Sequence, residues 1–442
     1  MRIRAFWAEG FRSLKSVHLP ELGAFNIFYG ENGAGKSNIL AALELLVRAA
    51  GLDIPGYANL EAPFKATWVP DLVRDEDFCH FAAIPRIRLG LTLVSSSDAP
   101  VFAFRDRQIA ELTLEITFER FPGRGTCVSV SRLEDSHGAD IRPLWHDNAS
   151  KGEARELRDQ LGRWFEETFV EQSYRLVPAV RAIGSEAGEL DAHDRASLAL
   201  LLERGRIKEA FVRALTSPDP VIRTRFARLR RLLTEPPLSR PAFDPVHDPH
   251  ANTFEIHEQP GRSGGRDVPL DLAGLGIQQI YAVLGQILLG RASAVGIEEP
   301  EAHLHAPTSG RHLRELLHRL VELGDVQQLF IATHSNLFDL DPTGYYDVRR
   351  DDGVTIVERK AGLSEIDLRH LYEPGPAKHG LADLLRLVEP GTPVLRRPDG
   401  SPVSASEMLV MLQEDTPEAV DFLRDVHGAA VRAVQLRAVR KS

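Results

Sequence analysis

The period of hydrophobic and polar positions changes several times along the chain. "RIRAFWAEG", "LKSVHL" and "AFNIFYG" are short apolar or alternating runs bounded by Gly, Pro or charged residues, which predicts three strands. "ENGAGKSNILAALELLVRAAG" follows, with Ile39, Leu40, Leu43, Leu45 and Leu46 at helical spacing until Gly51 closes the segment. The order is therefore strand, glycine loop, helix. From about Pro85 to Leu133 the period drops to two in "IRLGLTLV", "LTLEITFERF" and "TCVSVSRL", which reads as an antiparallel meander.

Helical patterns then dominate from about Ala149 to Leu233, including "ASLALLLERGRIKEAFVRAL" and "VIRTRFARLRRLL". No heptad persists, so a compact helical lobe is expected rather than a coiled-coil arm. A turn-rich linker, "EPPLSRPAFDPVHDPHANT", precedes an expected hairpin of "TFEIHEQ" and "RDVPLDL" joined through "PGRSGG". Then come the helix "IQQIYAVLGQILL", the strand beginning "AVGIEE", a helix around Gly310 to Leu323 and the strand "QLFIATHS". Strands alternating with helices predict a mixed α/β sheet covered by helices. From about Ala361 the chain reads as helical, with one hairpin at "PVLRRPDGSPVS" and a basic end, "RAVQLRAVRKS".

Composition narrows the class. At 442 residues, more than one hydrophobic core usually covers, two or three lobes are expected. The 43% hydrophobic and 26% charged residues are those of a globular protein, and no run approaches the roughly 18 apolar residues of a membrane span. "MRIRAFWAEGFRSLKS" lacks the apolar core and cleavage site of a secretory signal, so the cytoplasm is expected, with no membrane partner. Cys79 and Cys127 are the only cysteines and lie far apart, against a disulfide framework or a cysteine zinc site. A net charge of −10 argues against coating nucleic acid over the whole surface but allows local basic patches.

Three constellations carry chemistry. Gly30, Glu31, Asn32, Gly33, Ala34, Gly35, Lys36 and Ser37 spell G-x-x-x-x-G-K-S between a predicted strand and a predicted helix. Such glycines let backbone N–H groups turn onto phosphate, the lysine reaches the β and γ phosphates, and the serine ligates Mg²⁺. Glu298 and Glu299 end a core-like strand, where unpaired carboxylates are costly. Read alone the pair is a solvated helix cap; beside a phosphate loop, Glu298 suits Mg²⁺ and Glu299 the attacking water. His334 closes "FIATHS" and reads either as a hydrogen-bonded core histidine or as a γ-phosphate contact.

The ordered set "GENGAGKSN", "LAGLGIQQI", "GIEEPEAHLH" and "ATHSN" resembles the ATP-binding-cassette (ABC) ATPases of the SMC and RecF type, and within them the overcoming-lysogenization-defect-like ATPases. The motifs cover about residues 1–50 and 265–340. The resemblance implies an α/β P-loop NTPase of ABC-head type, its mixed central sheet accompanied by an antiparallel β lobe and a helical insertion. It implies ATP and Mg²⁺ as cofactors and two heads closing on two ATP molecules, each phosphate loop facing the partner's signature. Carried over, Lys36, Ser37 and Asn38 belong to the phosphate loop, Glu298 is the metal acid, Glu299 the catalytic base and His334 the switch histidine. Arg12 is a candidate nucleotide contact. Glu301 to His305 fall where a loop crosses to the other protomer.

Gly274 and Gly276 take the signature position, but Ala273, Gly274 and Leu275 offer no hydroxyl to γ-phosphate; backbone N–H groups at a helix start would have to receive it. Gln172 is a poor match for the family's Q-loop, and its surroundings, "EQSYRLVPAVR", read as a strand. No TOPRIM nuclease acids follow His334, so cleavage would need a separate partner. The domain expectation is 1–145 and 241–360 as two parts of one ATPase head, 146–240 as a helical insertion and 361–442 as a helical tail for partner binding.

Two constellations stay open. Arg223, Arg225, Arg228, Arg230 and Arg231 form either a solvated helix face or a DNA-backbone contact. His247, Asp248, His250 and His257 suggest metal but lack ligand spacing. The expected function is Mg-dependent ATP hydrolysis by a homodimer or higher oligomer, coupled to DNA or to a nuclease or effector protein in repair or in defence against phage and plasmids. The alternatives are a nucleotide-gated scaffold with little turnover and, further off, a transporter ATPase subunit.

Overall fold

The computed structural model describes residues 2–51, 67–68, 72–79, 85–95, 100–104, 107–121, 125–141, 160, 163–164, 168–169, 174–179, 198–203, 205–248, 253–259, 268–302, 304, 307–335, 338, 344–361, 393–396 and 401–413. Two compact units divide at residues 366 and 367.

In chain order the first unit contains β1 (Arg2–Phe11), β2 (Leu14–Leu19), β3 (Phe25–Tyr29), α1 (Lys36–Gly51), β4 (Thr67–Trp68), β5 (Arg86–Val94), β6 (Phe102–Phe104), β7 (Arg107–Ile109), β8 (Glu111–Phe121), β9 (Gly125–Asp135) and β10 (Tyr174–Val177). It continues with α2 (Leu198–Glu203), α3 (Ile207–Thr216), α4 (Pro220–Thr234), β11 (Ala242–Asp248), β12 (Thr253–Gln259), β13 (Val268–Pro269), α5 (Leu275–Leu289), β14 (Ala294–Glu298), α6 (Pro307–Glu322), β15 (Gln328–Thr333), β16 (Gly344–Asp351) and β17 (Val354–Lys360). In the second unit, the described residues form an antiparallel hairpin of β18 (Pro393–Arg396) and β19 (Pro402–Ser404), followed by α7 (Ala405–Gln413).

Two six-stranded sheets dominate. The first, ordered β2-β1-β5-β8-β9-β4, is antiparallel throughout. The second, ordered β10-β14-β15-β3-β16-β17, is parallel except for its β16–β17 edge. Every residue of β3 and β15 is buried, as expected for parallel strands covered on both faces. Helix α1 lies between the sheets, touching β1, β5 and β8 on one side and β10 and β15 on the other. Ile39, Leu40, Leu43 and Leu46 therefore share one core with Phe6, Leu89 and Ile116 of the first sheet and Phe330 and Ala332 of the second. A helix apolar around most of its circumference needs such double coverage. The architecture is the mixed α/β one expected.

One local expectation changes: the expected linker contains β11, which pairs with β12 from Ala242↔Gln259 to Asp248↔Thr253. Pro245 is tolerated there because β11 is an edge strand of the three-stranded sheet β11-β12-β13. Tyr174–Val177, in the surroundings of Gln172 that read as a strand, is a strand parallel to β14. Within the parallel sheet, β15 stands between β14 and β3.

Candidate functional site

Registers Glu298↔Ala332 and Thr333↔Tyr29 bring the C-terminal ends of β14, β15 and β3 to one edge of the parallel sheet. Ligands of open α/β sheets bind at that edge. Gly30 leaves β3 there, and α1 begins at Lys36.

Gly33 (φ 81°) and Gly35 (φ 107°) supply the left-handed backbone that turns the loop into the helix. A Cβ on Gly35 would lie 2.0 Å from Thr355 Oγ1 and 3.0 Å from Ser13 Oγ, whereas one on Gly33 would meet nothing within 4 Å. The loop is held from below. Thr355 Oγ1 donates to Ala34 O at 2.9 Å and pairs with Ser13 Oγ at 2.7 Å. Asn38 Nδ2 donates to Ser13 Oγ at 2.7 Å, and Arg350 Nη1 to Gly33 O at 3.3 Å. Arg12, itself at φ 49°, donates through Nε to Asp77 Oδ1 at 2.9 Å and through Nη1 to Asn38 Oδ1 at 3.4 Å. Asn38 thus braces the loop from its side, and Arg12 stands next to it.

Lys36 is only 5% exposed, and its Nζ donates to Gly30 O at 2.7 Å and Glu31 O at 2.8 Å. Burial lowers its pKa, opposed in order by the charges of Glu299, Glu301, Glu31 and Glu298. The charges of all four carboxylates thus favour the ammonium form of Lys36, against its burial. Glu31, Asn32 and Ser37 have exposed side chains at the loop surface, while Ala34 is buried.

On the facing side, Glu298 is half-buried and its Oε2 accepts the Ala179 N–H at 3.4 Å. The Tyr174 phenol is fully buried, donates to Leu40 O at 3.3 Å, and is held un-ionised by burial and then by the charges of Glu44 and Glu298. Glu299 sits at φ 40° with its N–H bonded to Ala332 O at 2.8 Å. A side chain in that backbone region carries strain of about 1–3 kcal/mol, a feature that concentrates at functional sites.

His334 Nδ1 lies 3.4 Å from Glu301 Oε1 and 4.0 Å from Glu299 Oε1. Glu301 Oε1 also accepts the Thr333 hydroxyl and, at 3.2 Å, the His334 backbone N–H. Burial raises the Glu301 pKa, against the lowering effects of the Thr333 bond, its own backbone N–H and His334. Glu301 Oε2 and His334 Nδ1 are buried without a hydrogen-bond partner among the described residues.

Gly274 caps the start of α5 in the open, between Leu272 and Leu275, which are 75% and 55% exposed. Gln278 Nε2 donates to Ala273 O at 2.9 Å, closing the turn before the helix. Gly276 lies in the first turn. Among the described residues no three His, Cys, Asp or Glu side chains form a metal cluster. The hydroxyl of Ser37 with the carboxylate of Glu298, completed by phosphate oxygens and water, is nonetheless a fitting donor set for Mg²⁺, which rarely uses all-protein cages.

The arginine helix α4 is largely engaged within the chain. Arg225 donates to Leu288 O at 2.9 Å, Arg228 pairs with Asp325 at 3.3 Å and Arg230 with Asp244 at 3.0 Å. Among the described residues, Arg223 and Arg231 bond near their own helix, to Ser217 O at 3.4 Å and to Glu235 at 3.7 Å. Of the suggested histidine cluster, His257 pairs with Glu255 at 2.6 Å, His250 lies outside the described residues, and so do the side chains of His247 and Asp248. Gln172, His303, His305 and the basic C-terminal stretch are likewise outside them.

Ser13, Asp77, Arg350 and Thr355 were not picked out from the sequence. Ser13 lies in "FRS", close to Arg12, and was within reach; Thr355 carries no local signal, since only the β3–β16–β17 order brings it beneath the loop.

A family model described as "AAA domain, putative AbiEii toxin, Type IV TA system" matches residues 25–341. The DNA replication and repair protein RecF of Acinetobacter baylyi is 52% identical over 46 residues, 10% of this chain and 13% of the relative. RecF of Trichlorobacter lovleyi is 25% identical over 138 residues, 31% of this chain and 30% of the relative. The chain thus matches less than a third of the length of either relative. Among solved structures, the SMC head domain from Thermotoga maritima aligns with a TM-score of 0.41 at 14% identity, over 81% of this chain and 99% of that one. An SMC head with an extended coiled coil bound to the C-terminal domain of ScpA, from Pyrococcus furiosus, aligns at 0.44 and 15%, over 82% and 97%.

Proposed function

The chain belongs to this AAA-domain family, and from that premise we propose that it binds and hydrolyses ATP with Mg²⁺ at the loop Gly30–Ser37. The observation that supports the reading most is that the loop Gly30–Ser37, the end of β14 with Glu298 and Glu299, and the end of β15 with His334 lie at one C-terminal edge of the parallel strands. In this reading Lys36 exchanges the carbonyls of Gly30 and Glu31 for phosphate oxygens, releasing the loop backbone to bind the β and γ phosphates. Ser37 and Glu298 would hold Mg²⁺, which when bound neutralises phosphate charge. Glu299 takes a proton from water as the water oxygen attacks the γ-phosphorus and the bond to the β–γ bridging oxygen breaks, releasing ADP. His334 contacts the γ-phosphoryl oxygens, and Arg12 lies beside the loop to meet the nucleotide.

Gly274 and Gly276 open α5 toward solvent, where the helix N-terminus would receive the γ-phosphate of a second copy, so a homodimer or higher oligomer forms around ATP. Closure would be coupled to a nuclease or other effector protein, or to DNA, in repair or in defence against phage and plasmids. A DNA contact through α4 would rest on Arg223 and Arg231, the two of its arginines not tied to other elements among the described residues. Among the described residues no helix is long and apolar enough to cross a membrane. The missing signature hydroxyl supports a second reading, a nucleotide-gated scaffold with little turnover; phosphate release with and without DNA separates the two.

Direct tests are available on two residues. Lys36→Ala loses nucleotide binding in a filter or calorimetric assay. Glu299→Gln keeps ATP, accumulates dimer in size-exclusion chromatography and loses about 10²-fold in turnover. Unchanged turnover in Glu299→Gln would sink the assignment.

A further inference from the structure

We propose that Glu301 is a positioning residue that turns the His334 ring so that Nε2, with its proton, faces the nucleotide. The inference deepens the proposed ATPase and rests on that reading for its kinetic part. Its basis is the convergence on one carboxylate oxygen: Oε1 accepts the Thr333 hydroxyl and the His334 N–H at 3.2 Å, and lies 3.4 Å from Nδ1 of the same histidine. Chain direction and ring are thereby held from one point. The His334 side chain is 40% exposed while Nδ1 is buried, so its exposed part is the remainder of the ring.

The proton arithmetic explains why an acid stands there. To donate to a phosphoryl oxygen, Nε2 must carry hydrogen. A neutral imidazole with Nε2–H has a bare Nδ1, which needs a donor; an imidazolium has Nδ1–H, which needs an acceptor. A carboxyl that shares one proton with Nδ1 satisfies both states, whereas an amide or an apolar side chain cannot move a proton. Burial, which favours the protonated acid, and the neighbouring His334, which favours the carboxylate, act in opposite directions on Glu301. Among the described residues, Glu299 and Lys36 are further charged groups acting on the pair. The 3.4 Å spacing is long for a hydrogen bond; such contacts commonly tighten when ligand binds.

The test is ¹⁵N NMR of histidine-labelled full-length protein at neutral pH, with His334→Gln assigning the signal, alongside steady-state ATP hydrolysis. Glu301→Gln should move the His334 ring-nitrogen shifts toward the ordinary tautomer mixture and lower kcat about tenfold, with KM for ATP changed less than about twofold. In the His334→Gln background it should add no further loss, because the two act as a unit. Should Glu301→Gln not fold, Glu301→Asp, which keeps the charge but withdraws it from Nδ1, is read the same way. Unchanged His334 shifts, or a loss that multiplies with that of His334→Gln, would overturn the proposal. The NMR arm uses no nucleotide, so absence of ATPase activity in the wild type would refute the proposed function while leaving the pairing measured.

Discussion

The two sides of the site are built differently. The loop Gly30–Ser37 is braced from several sides: Thr355, itself paired with Ser13, holds Ala34, Asn38 is bonded to Ser13, and Arg350 reaches Gly33. The opposite side, from Glu298 to His334, holds a left-handed glutamate, a buried carboxylate oxygen without a partner and an unpaired ring nitrogen among its described residues. A rigid cradle therefore faces a segment with stored strain and unsatisfied polar groups. In the proposed ATPase, pre-organisation suits an element that would bind the same phosphates each cycle. Strain and unmet hydrogen bonds suit one whose arrangement changes when ligand arrives.

The contrast can be broken first at the cradle. Gly35→Ala should be the most damaging substitution, costing on the order of 3 kcal/mol, because it combines an unfavourable φ with overlap against Thr355. Gly33→Ala, with the same hand of backbone but open space, should cost only about 1 kcal/mol. Urea unfolding of the two variants checks the difference; equal costs would mean that the loop is not braced from below.

A smaller effect is expected from Thr355→Val. It removes the donor to Ala34 O and the partner of Ser13 Oγ, at about 1–2 kcal/mol, and should raise KM for ATP more than it lowers kcat. The reverse split would assign Thr355 to the chemistry.

The smallest effect is on the strained side. The pKa of Glu301 is raised above its ordinary value of 4.5, so the folded chain binds the proton more tightly than the unfolded one. Its contribution to stability is full below that ordinary value and is lost as pH rises through the folded value. Wild type should therefore lose stability relative to Glu301→Gln across that window, with Lys36 and His334 limiting the loss. Thermal unfolding of both proteins from acid to neutral pH measures the sign, and a difference that grows in the wild type's favour would contradict it.

Much of the site was legible in the chain itself. The strand–loop–helix setting of Gly30–Ser37 was readable because the three pieces are contiguous, and local backbone needs are written in Gly33 and Gly35. The apolar strands ending at Glu298 and Thr333 could likewise be read as buried, since parallel strands covered on both faces are continuous apolar runs. Strand β11 was missed because proline and turn residues outweigh pairing in a local reading, although an edge strand can accept them.

Strand order and long-range partners were decided only in three dimensions. No local pattern says that β15 stands between β14 and β3, that Thr355 supports a loop more than three hundred residues earlier, or that Glu301 turns inward to His334 rather than outward. The sequence by itself determined where the phosphate-loop pattern lies and which residues carry negative charge, because those properties belong to the residues and their immediate neighbours. The tertiary structure decided that Lys36 is buried and that Glu299 bears backbone strain, because both depend on packing two sheets on one helix.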